Sequence, residues 1–200
     1  MKNSDDNENS TVAKLWGLIA SLMLASAAVG YAAARISRKE DTAAVIRLYS
    51  AMSCDLYHYG HAELLERGRR MLAEQINSFE EPVRIVVVVG VCSDETVESY
   101  KRRPILTLKE RAAAMRSCRF CDEVIEDAPA VTTAAFMEKH SLDYILTGDD
   151  YSDASLQKWF PEAARRGVCI RAPYTQGIST SSIIRRCQEA PPVVASNIHA

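Results

Sequence analysis

The sequence predicts an α/β protein in which helices cover both faces of a central parallel sheet. Strand-like and helix-like runs alternate along the 200-residue chain from residue 45 to residue 189. The run 83–91 consists mostly of β-branched residues, which is typical of a strand buried on both faces. Together, the alternation and the buried strand favour a parallel sheet over a hairpin-connected one.

The N-terminus predicts a membrane segment. Residues 1–14 are polar and acidic, so we expect them to be disordered. Between Leu15 and Ala34 there is no charged residue, and this length is sufficient to cross a bilayer as a helix. We therefore expect a transmembrane helix at 15–36. A cleaved signal peptide and a helix buried in an oligomer are the alternatives.

The flanking charges predict the orientation of this segment. Lys14 precedes it, whereas Arg35, Arg38 and Lys39 follow it. Basic residues are retained on the cytosolic side, so the rest of the chain should face the cytosol. The expectation is a single-pass membrane protein, with the endoplasmic reticulum as the expected membrane.

The body of the chain contains five predicted strands. They lie at 45–50, 83–91, 122–126, 142–146 and 168–171. The predicted folded domain is 43–189. The tail at 190–200 has no periodic pattern, so we expect it to be loose.

Helices connect these strands. The first begins at the stretch 55–61 and carries apolar residues three and four apart as far as Ile76. Thr107 and Glu110 fit a capping box for a helix that ends near Cys118. The other helices are predicted at 133–140, at 155–166 with a break at Pro161, and at 180–189.

Composition excludes several classes of function. The net charge of −2 argues against a nucleic-acid binder, so nucleic acid is not an expected partner. The six cysteines lack the spacing of a disulfide framework. Cys118 and Cys121 form a CxxC, but no second pair completes a zinc site. We expect reduced thiols in a cytosolic domain and no protein-held metal.

Polar residues gather where the predicted strands end. They are His58 and His61 after the first strand, Ser93, Asp94 and Lys101 after the second, Gly148, Asp149 and Asp150 after the fourth, and 177–181 before the last helix. In a parallel sheet these positions meet at one edge, where ligands bind. Residues three apart share a helix face, so the two histidines should lie side by side.

This set of residues favours a phosphate-bearing ligand. Imidazoles, a lysine and helix N-termini all bind anionic oxygen. The sequence has no GxxxxGK[ST] or GxGxxG motif, and no serine or cysteine has an obvious base at usable spacing. The pattern suits in-line nucleotidyl transfer, in which a substrate phosphate attacks the α-phosphorus of a nucleoside triphosphate and pyrophosphate leaves.

The region from about residue 45 to residue 186 resembles the cytidylyltransferase family of the HxGH nucleotidylyltransferase superfamily. The matching segments, in the same order, are 55–61, 89–95 with Lys101, 109–111, 118–124, 148–150 and 175–180. The motifs look most like the ethanolamine-phosphate branch. The resemblance implies a Rossmann-like nucleotidylyltransferase fold, a homodimer, CTP as co-substrate, and Mg²⁺ bound through the substrate.

The resemblance also implies an activity and a set of site residues. The activity is CMP transfer to a phosphorylated alcohol or amino alcohol in phospholipid synthesis, with phosphoethanolamine first and phosphocholine second. The catalytic residues would be His58, His61 and Lys101. The nucleotide-binding residues would be Ser53, Cys54, Asp55, Arg111, Gly148, Asp149, Asp150, Gly177, Ile178, Ser179 and Thr180.

The chain departs from the family pattern in two places. Met52 and Cys54 replace a glycine and an aromatic residue that are common there. Tyr174 stands where the last motif usually begins with a phosphate-binding arginine, and a phenol brings neither charge nor a fork of donors. Arg171 or Arg102 would then have to substitute. An ATP-dependent adenylyltransferase and a catalytically weak regulatory or anchoring subunit are the alternatives.

Overall fold

The structure, a computed structural model, describes residues 44–76 and 83–190 of the chain. Strands and helices alternate in these residues as the sequence predicts. In chain order they are β1 (Ala44–Met52), α1 (Tyr59–Ile76), β2 (Val83–Cys92), α2 (Asp94–Glu98), α3 (Leu108–Arg116), β3 (Glu123–Ala128), α4 (Ala134–Lys139), β4 (Tyr144–Gly148), α5 (Asp153–Trp159), α6 (Pro161–Arg166), β5 (Cys169–Ala172) and α7 (Thr180–Glu189). Each strand begins and ends within two residues of its predicted bounds.

The five strands form one sheet in the order β3-β2-β1-β4-β5. β1 pairs in parallel with β4, β2 with β3, and β4 with β5. The predicted α/β fold with a parallel, Rossmann-like sheet is therefore confirmed. The strand order reverses between β1 and β4, which opens a crevice at their carboxyl ends.

The membrane part of the predicted fold class requires correction. In the part of the chain that the structure describes, no helix has both the length and the apolar character needed to cross a bilayer. A transmembrane helix is thus not part of the described fold. The predicted segments at 1–14 and 15–36, and all but the first residue of the tail at 190–200, lie outside the described residues.

Helices cover both faces of the sheet, and each face has its own apolar cluster. Leu65 and Leu72 of α1 pack with Met115 of α3 against one face. Met137 of α4 and Leu156 of α5 pack against the other face. This layering explains why the central strands are apolar on both sides.

The predicted break in the helix at 155–166 is confirmed, whereas one short helix is not predicted. α5 ends at Trp159, and α6 begins with Pro161 in its first turn. Proline fits there since the first turn needs no intrahelical N–H donor. The sequence does not predict α2, because a helix of 5 residues is too short to show a hydrophobic periodicity. The side chain of Ser93 caps it by accepting a hydrogen bond from the Thr96 N–H at 3.1 Å.

The centre of the sheet depends on a close approach between β1 and β2. A Cβ added to Gly90 would lie 2.0 Å from the Tyr49 hydroxyl oxygen. The Tyr49 ring is fully buried, so it has little room to move. Its hydroxyl oxygen is buried and has no hydrogen-bond partner among the described residues.

We expect Gly90→Ala to lower the free energy of unfolding by about 3 kcal/mol, because the new methyl group overpacks the core. Urea unfolding measures this loss. Tyr49→Phe removes the atom that is closest to the methyl group, so the double variant should lose less stability than the sum of the two single variants. Strict additivity of the two losses would contradict this account of the contact.

Candidate active site

A cavity of about 540 Å³ opens at the carboxyl ends of β1 and β4. Most of the site residues predicted from the sequence line it, although they come from four separate loops. These are Ser53, His58, His61, Lys101, Gly148, Asp150, Ile178, Ser179 and Thr180. The predicted convergence of the loops at one sheet edge is therefore seen in the fold.

The two histidines lie side by side, with ring centroids 4.0 Å apart. Nδ1 of His58 accepts a hydrogen bond from the Gly60 N–H at 3.1 Å. Nδ1 of His61 accepts one from the His58 N–H at 3.3 Å. When Nδ1 is an acceptor, a neutral imidazole carries its proton on Nε2. Both rings therefore keep an Nε2–H donor for a ligand.

Gly60 lies where there is little room for a side chain between the His58 ring and Ile178. A Cβ at this position would lie 3.0 Å from the His58 ring and 3.0 Å from Cγ2 of Ile178. The glycine thus lets the N-terminus of α1 approach Ile178 in the turn before α7.

Both imidazoles are neutral near pH 7. Burial lowers the pKa of His58. Burial, together with the neighbouring His58, lowers the pKa of His61 to about 4. The pair therefore supplies hydrogen-bond donors without charge. A bound anion would raise both pKa values, because it stabilises the imidazolium form.

Lys101 supplies positive charge to the same cavity. It lies just after α2, and its backbone N–H donates to the Val97 carbonyl at 2.9 Å. Its side chain is exposed. An ammonium in this position can neutralise phosphate as a point charge.

Asp55 lies beneath the site and joins two of its loops. Its carboxylate accepts hydrogen bonds from the N–H groups of Ile105 and Leu106 at 3.0 to 3.1 Å, and from Nη2 of Arg102 at 2.8 Å. Its backbone carbonyl accepts the Thr180 hydroxyl at 2.8 Å. Burial alone would raise the pKa of Asp55, but these donors hold it below the usual value.

The backbone around Asp55 is strained. Cys54 and Leu56 have φ values of 55° and 47°, a left-handed conformation that residues other than glycine rarely adopt. The hydrogen bonds of Asp55 hold this turn in place. Cys54 itself points into the core and is fully buried, and burial raises the pKa of its thiol.

Arg111 is placed as a structural clamp. Its guanidinium is fully buried and donates to the carbonyls of Leu106, Ser53 and Cys92, and to the Asp94 carboxylate at 2.6 Å. Four hydrogen bonds satisfy the buried charge and join the ends of β1 and β2 to the loop before α3. Arg111 does not line the cavity.

The last motif forms the N-terminus of α7. The Ser179 side chain caps the helix by accepting from the Ser182 N–H at 3.1 Å. Gly177 has a φ of 83°, which the turn into the helix requires and which glycine tolerates. The exposed backbone N–H groups of the first turn favour an anion.

The neighbouring residues Asp149 and Asp150 have different surroundings. Asp150 lines the cavity, whereas the Asp149 carboxylate accepts the Tyr174 N–H at 3.0 Å and so holds the start of the last motif. The Tyr174 hydroxyl donates to the Ile178 carbonyl at 3.4 Å. Arg171 pairs with Asp153 and does not line the cavity.

One wall of the cavity contains aromatic residues. Tyr151 and Trp159 line it, as do Tyr100 and Phe160. The Tyr100 and Trp159 ring centroids are 5.6 Å apart. The position of Tyr100 directly before Lys101 is the only sequence signal that indicates it.

Comparison with known proteins identifies the family of this chain. The cytidylyltransferase-like family model matches residues 53–186. The chain is 34% identical over 145 residues to choline-phosphate cytidylyltransferase 2 of Arabidopsis thaliana. This alignment covers 70% of the chain and 44% of that protein. It is 32% identical over 142 residues to choline-phosphate cytidylyltransferase A of Homo sapiens, with 70% of this chain and 36% of that protein covered.

A further relative belongs to the other head-group branch. The chain is 30% identical over 142 residues to ethanolamine-phosphate cytidylyltransferase of Dictyostelium discoideum, covering 70% of this chain and 36% of that protein. The chain thus spans less than half the length of these relatives. The family model covers most of the described domain and both histidines, so this chain belongs to the cytidylyltransferase-like family.

Proposed function

We propose that this chain transfers CMP from CTP to a phosphorylated amino alcohol and releases pyrophosphate, as a step of phospholipid synthesis. Phosphoethanolamine is the first acceptor to consider and phosphocholine the second. The observation that carries the proposal is the pair of Nε2–H donors on His58 and His61, which line a cavity together with Lys101. Family membership and the curated relatives support the same reaction.

The reaction needs no protein nucleophile. An oxygen of the acceptor phosphate bonds to the α-phosphorus of CTP while the bond to the bridging oxygen breaks, and pyrophosphate leaves with that electron pair. The Nε2–H groups of His58 and His61 donate to the α-phosphate oxygens, and Lys101 stabilises the growing negative charge. Fixed donors of this kind need no reorganisation when the charge develops.

Magnesium would enter with the nucleotide. Mg²⁺ is typically held by one or two carboxylates and by substrate phosphates, so Asp150 in the cavity wall fits this role. Among the described residues, no group of three or more His, Cys, Asp or Glu side chains could hold a metal by itself. The ion would supply positive charge to the triphosphate.

The aromatic wall would bind the head group of the acceptor. Tyr151 and Trp159 line the cavity, and an ammonium group is attracted to the faces of such rings. The acceptor would then lie on the side of the cavity near α5. The homodimer and the cytosolic location of the domain stay predictions.

Tyr174 favours a second candidate, a catalytically weak nucleotide-binding regulatory subunit. Its phenol lies at the start of α7, where it contacts the Ile178 carbonyl and brings no charge. Arg171 cannot replace it, because its guanidinium pairs with Asp153 away from the cavity. Weak binding of CTP without turnover is the behaviour expected of this candidate.

Incubation of the full chain with CTP, Mg²⁺ and phosphoethanolamine should release pyrophosphate. His58→Ala should lower kcat by roughly 100-fold or more, because a donor to the transition state is lost. His140→Ala is the matched control, since His140 lies at the end of α4 and does not line the cavity. No turnover of phosphoethanolamine, phosphocholine or glycerol phosphate with either CTP or ATP would contradict the proposal. Turnover with ATP alone would reassign the donor.

Tyr174→Arg should lower the KM for CTP by about tenfold, because a guanidinium adds charge-assisted hydrogen bonds to phosphate. Steady-state kinetics at varied CTP measure this change. Tyr174→Phe is the control and should leave the KM nearly unchanged. An unaltered KM in Tyr174→Arg would exclude position 174 as a phosphate contact. Turnover that appears only in this variant would favour the regulatory candidate.

A further inference from the structure

A second cavity of about 360 Å³ adjoins the first. The two share Ser53, Lys101, Thr180 and Ser181 in their walls. The remaining residues that line the second cavity are Asp55, Val97 and Arg102. Neither this cavity nor Arg102 takes part in the reaction as proposed so far.

Two hydrogen bonds hold the Arg102 guanidinium in a fixed position and engage only part of its N–H donors among the described residues. Nη2 donates to the Asp55 carboxylate at 2.8 Å, and Nη1 donates to the Arg103 carbonyl at 2.9 Å. Within the described part of the chain these two bonds engage two of the five N–H donors of a guanidinium. The side chain is 43% exposed, so the other donors are accessible to a ligand.

Asp55 connects the two walls of this cavity. Its carboxylate binds Arg102 in one wall, and its carbonyl accepts the Thr180 hydroxyl in the first turn of α7, in the other wall. Two successive cations, Lys101 and Arg102, thus line the cavity together with Ser181. This arrangement suits a compact, multiply charged anion.

We propose that Arg102 binds the β- and γ-phosphates of the nucleotide, which become the pyrophosphate leaving group, in the second cavity. Asp55 is the positioning residue for its guanidinium. This proposal rests on the proposed function. The α-phosphorus lies at the shared residues, where the acceptor oxygen bonds to it from the larger cavity. The bond between the α-phosphorus and the bridging oxygen breaks. Pyrophosphate leaves with that electron pair and lies in the second cavity.

Pyrophosphate fits the second cavity better than the acceptor does. Among the residues that the structure describes, no aromatic side chain lines this cavity, whereas Tyr151 and Trp159 line the larger one. An amino-alcohol head group would therefore lie in the larger cavity. In-line displacement requires attacking and leaving groups on opposite sides of the phosphorus, and two adjoining cavities provide this separation.

Calorimetric titration of the full chain with inorganic pyrophosphate and Mg²⁺ tests the proposal without requiring turnover. Arg102→Ala should weaken pyrophosphate binding by about tenfold or more, because charge-assisted bonds are lost. Arg103→Ala is the matched control. Arg103 pairs with Glu98, its side chain is 68% exposed, and it lines neither cavity.

Arg102→Lys provides a second variant that keeps the charge and the link to Asp55. It should give an intermediate loss, since an ammonium lacks the fork of donors. Phosphoethanolamine affinity should stay within about twofold in every variant, since that ligand occupies the larger cavity. Equal pyrophosphate affinity in Arg102→Ala and Arg103→Ala would overturn the assignment. Pyrophosphate binding without any nucleotide transfer would defeat the proposed function but leave the role of Arg102 standing.

Discussion

The site depends on one buried charge, the Arg111 guanidinium. It has no exposed surface, and it binds the carbonyls of Ser53, Cys92 and Leu106 and the carboxylate of Asp94. A buried cation without partners would cost several kcal/mol, so the protein is stable only when these acceptors lie around it. The same requirement fixes the ends of β1 and β2 relative to the loop before α3.

The second constraint is the Asp55 carboxylate, a buried negative charge that hydrogen-bond donors surround. Its carboxylate binds Ile105, Leu106 and Arg102, and its carbonyl binds Thr180 of α7. Arg111 and Asp55 together hold the loop that carries Lys101 against the turn that carries the histidines. Rigid support of this kind keeps the histidine donors in place at the cavity, and it accounts for the strained backbone on both sides of Asp55.

Local features of this fold could be predicted from the sequence, and long-range contacts could not. His58 and His61 are three residues apart, so their shared face follows from helix geometry alone. Three of the four partners of Arg111 are backbone carbonyls, one of them 58 residues away, and a carbonyl leaves no trace in the sequence. The sequence predicts Cys54 as a nucleotide-binding residue, and in the left-handed turn its side chain lies in the core and outside the cavity lining. Tyr100 reaches the cavity through its packing against Trp159, another long-range contact.

The most direct test of this account is amide hydrogen exchange in Arg111→Lys, which keeps the charge but cannot reach all four acceptors. We predict exchange faster by about tenfold or more at Ile105 and Leu106, and in the turn around Asp55, because the Arg111 clamp holds both. Exchange in α5 and α6, which do not contact Arg111, should be unchanged. Unchanged exchange at Ile105 and Leu106, with protection lost uniformly over the sheet, would contradict the claim that this guanidinium organises the site.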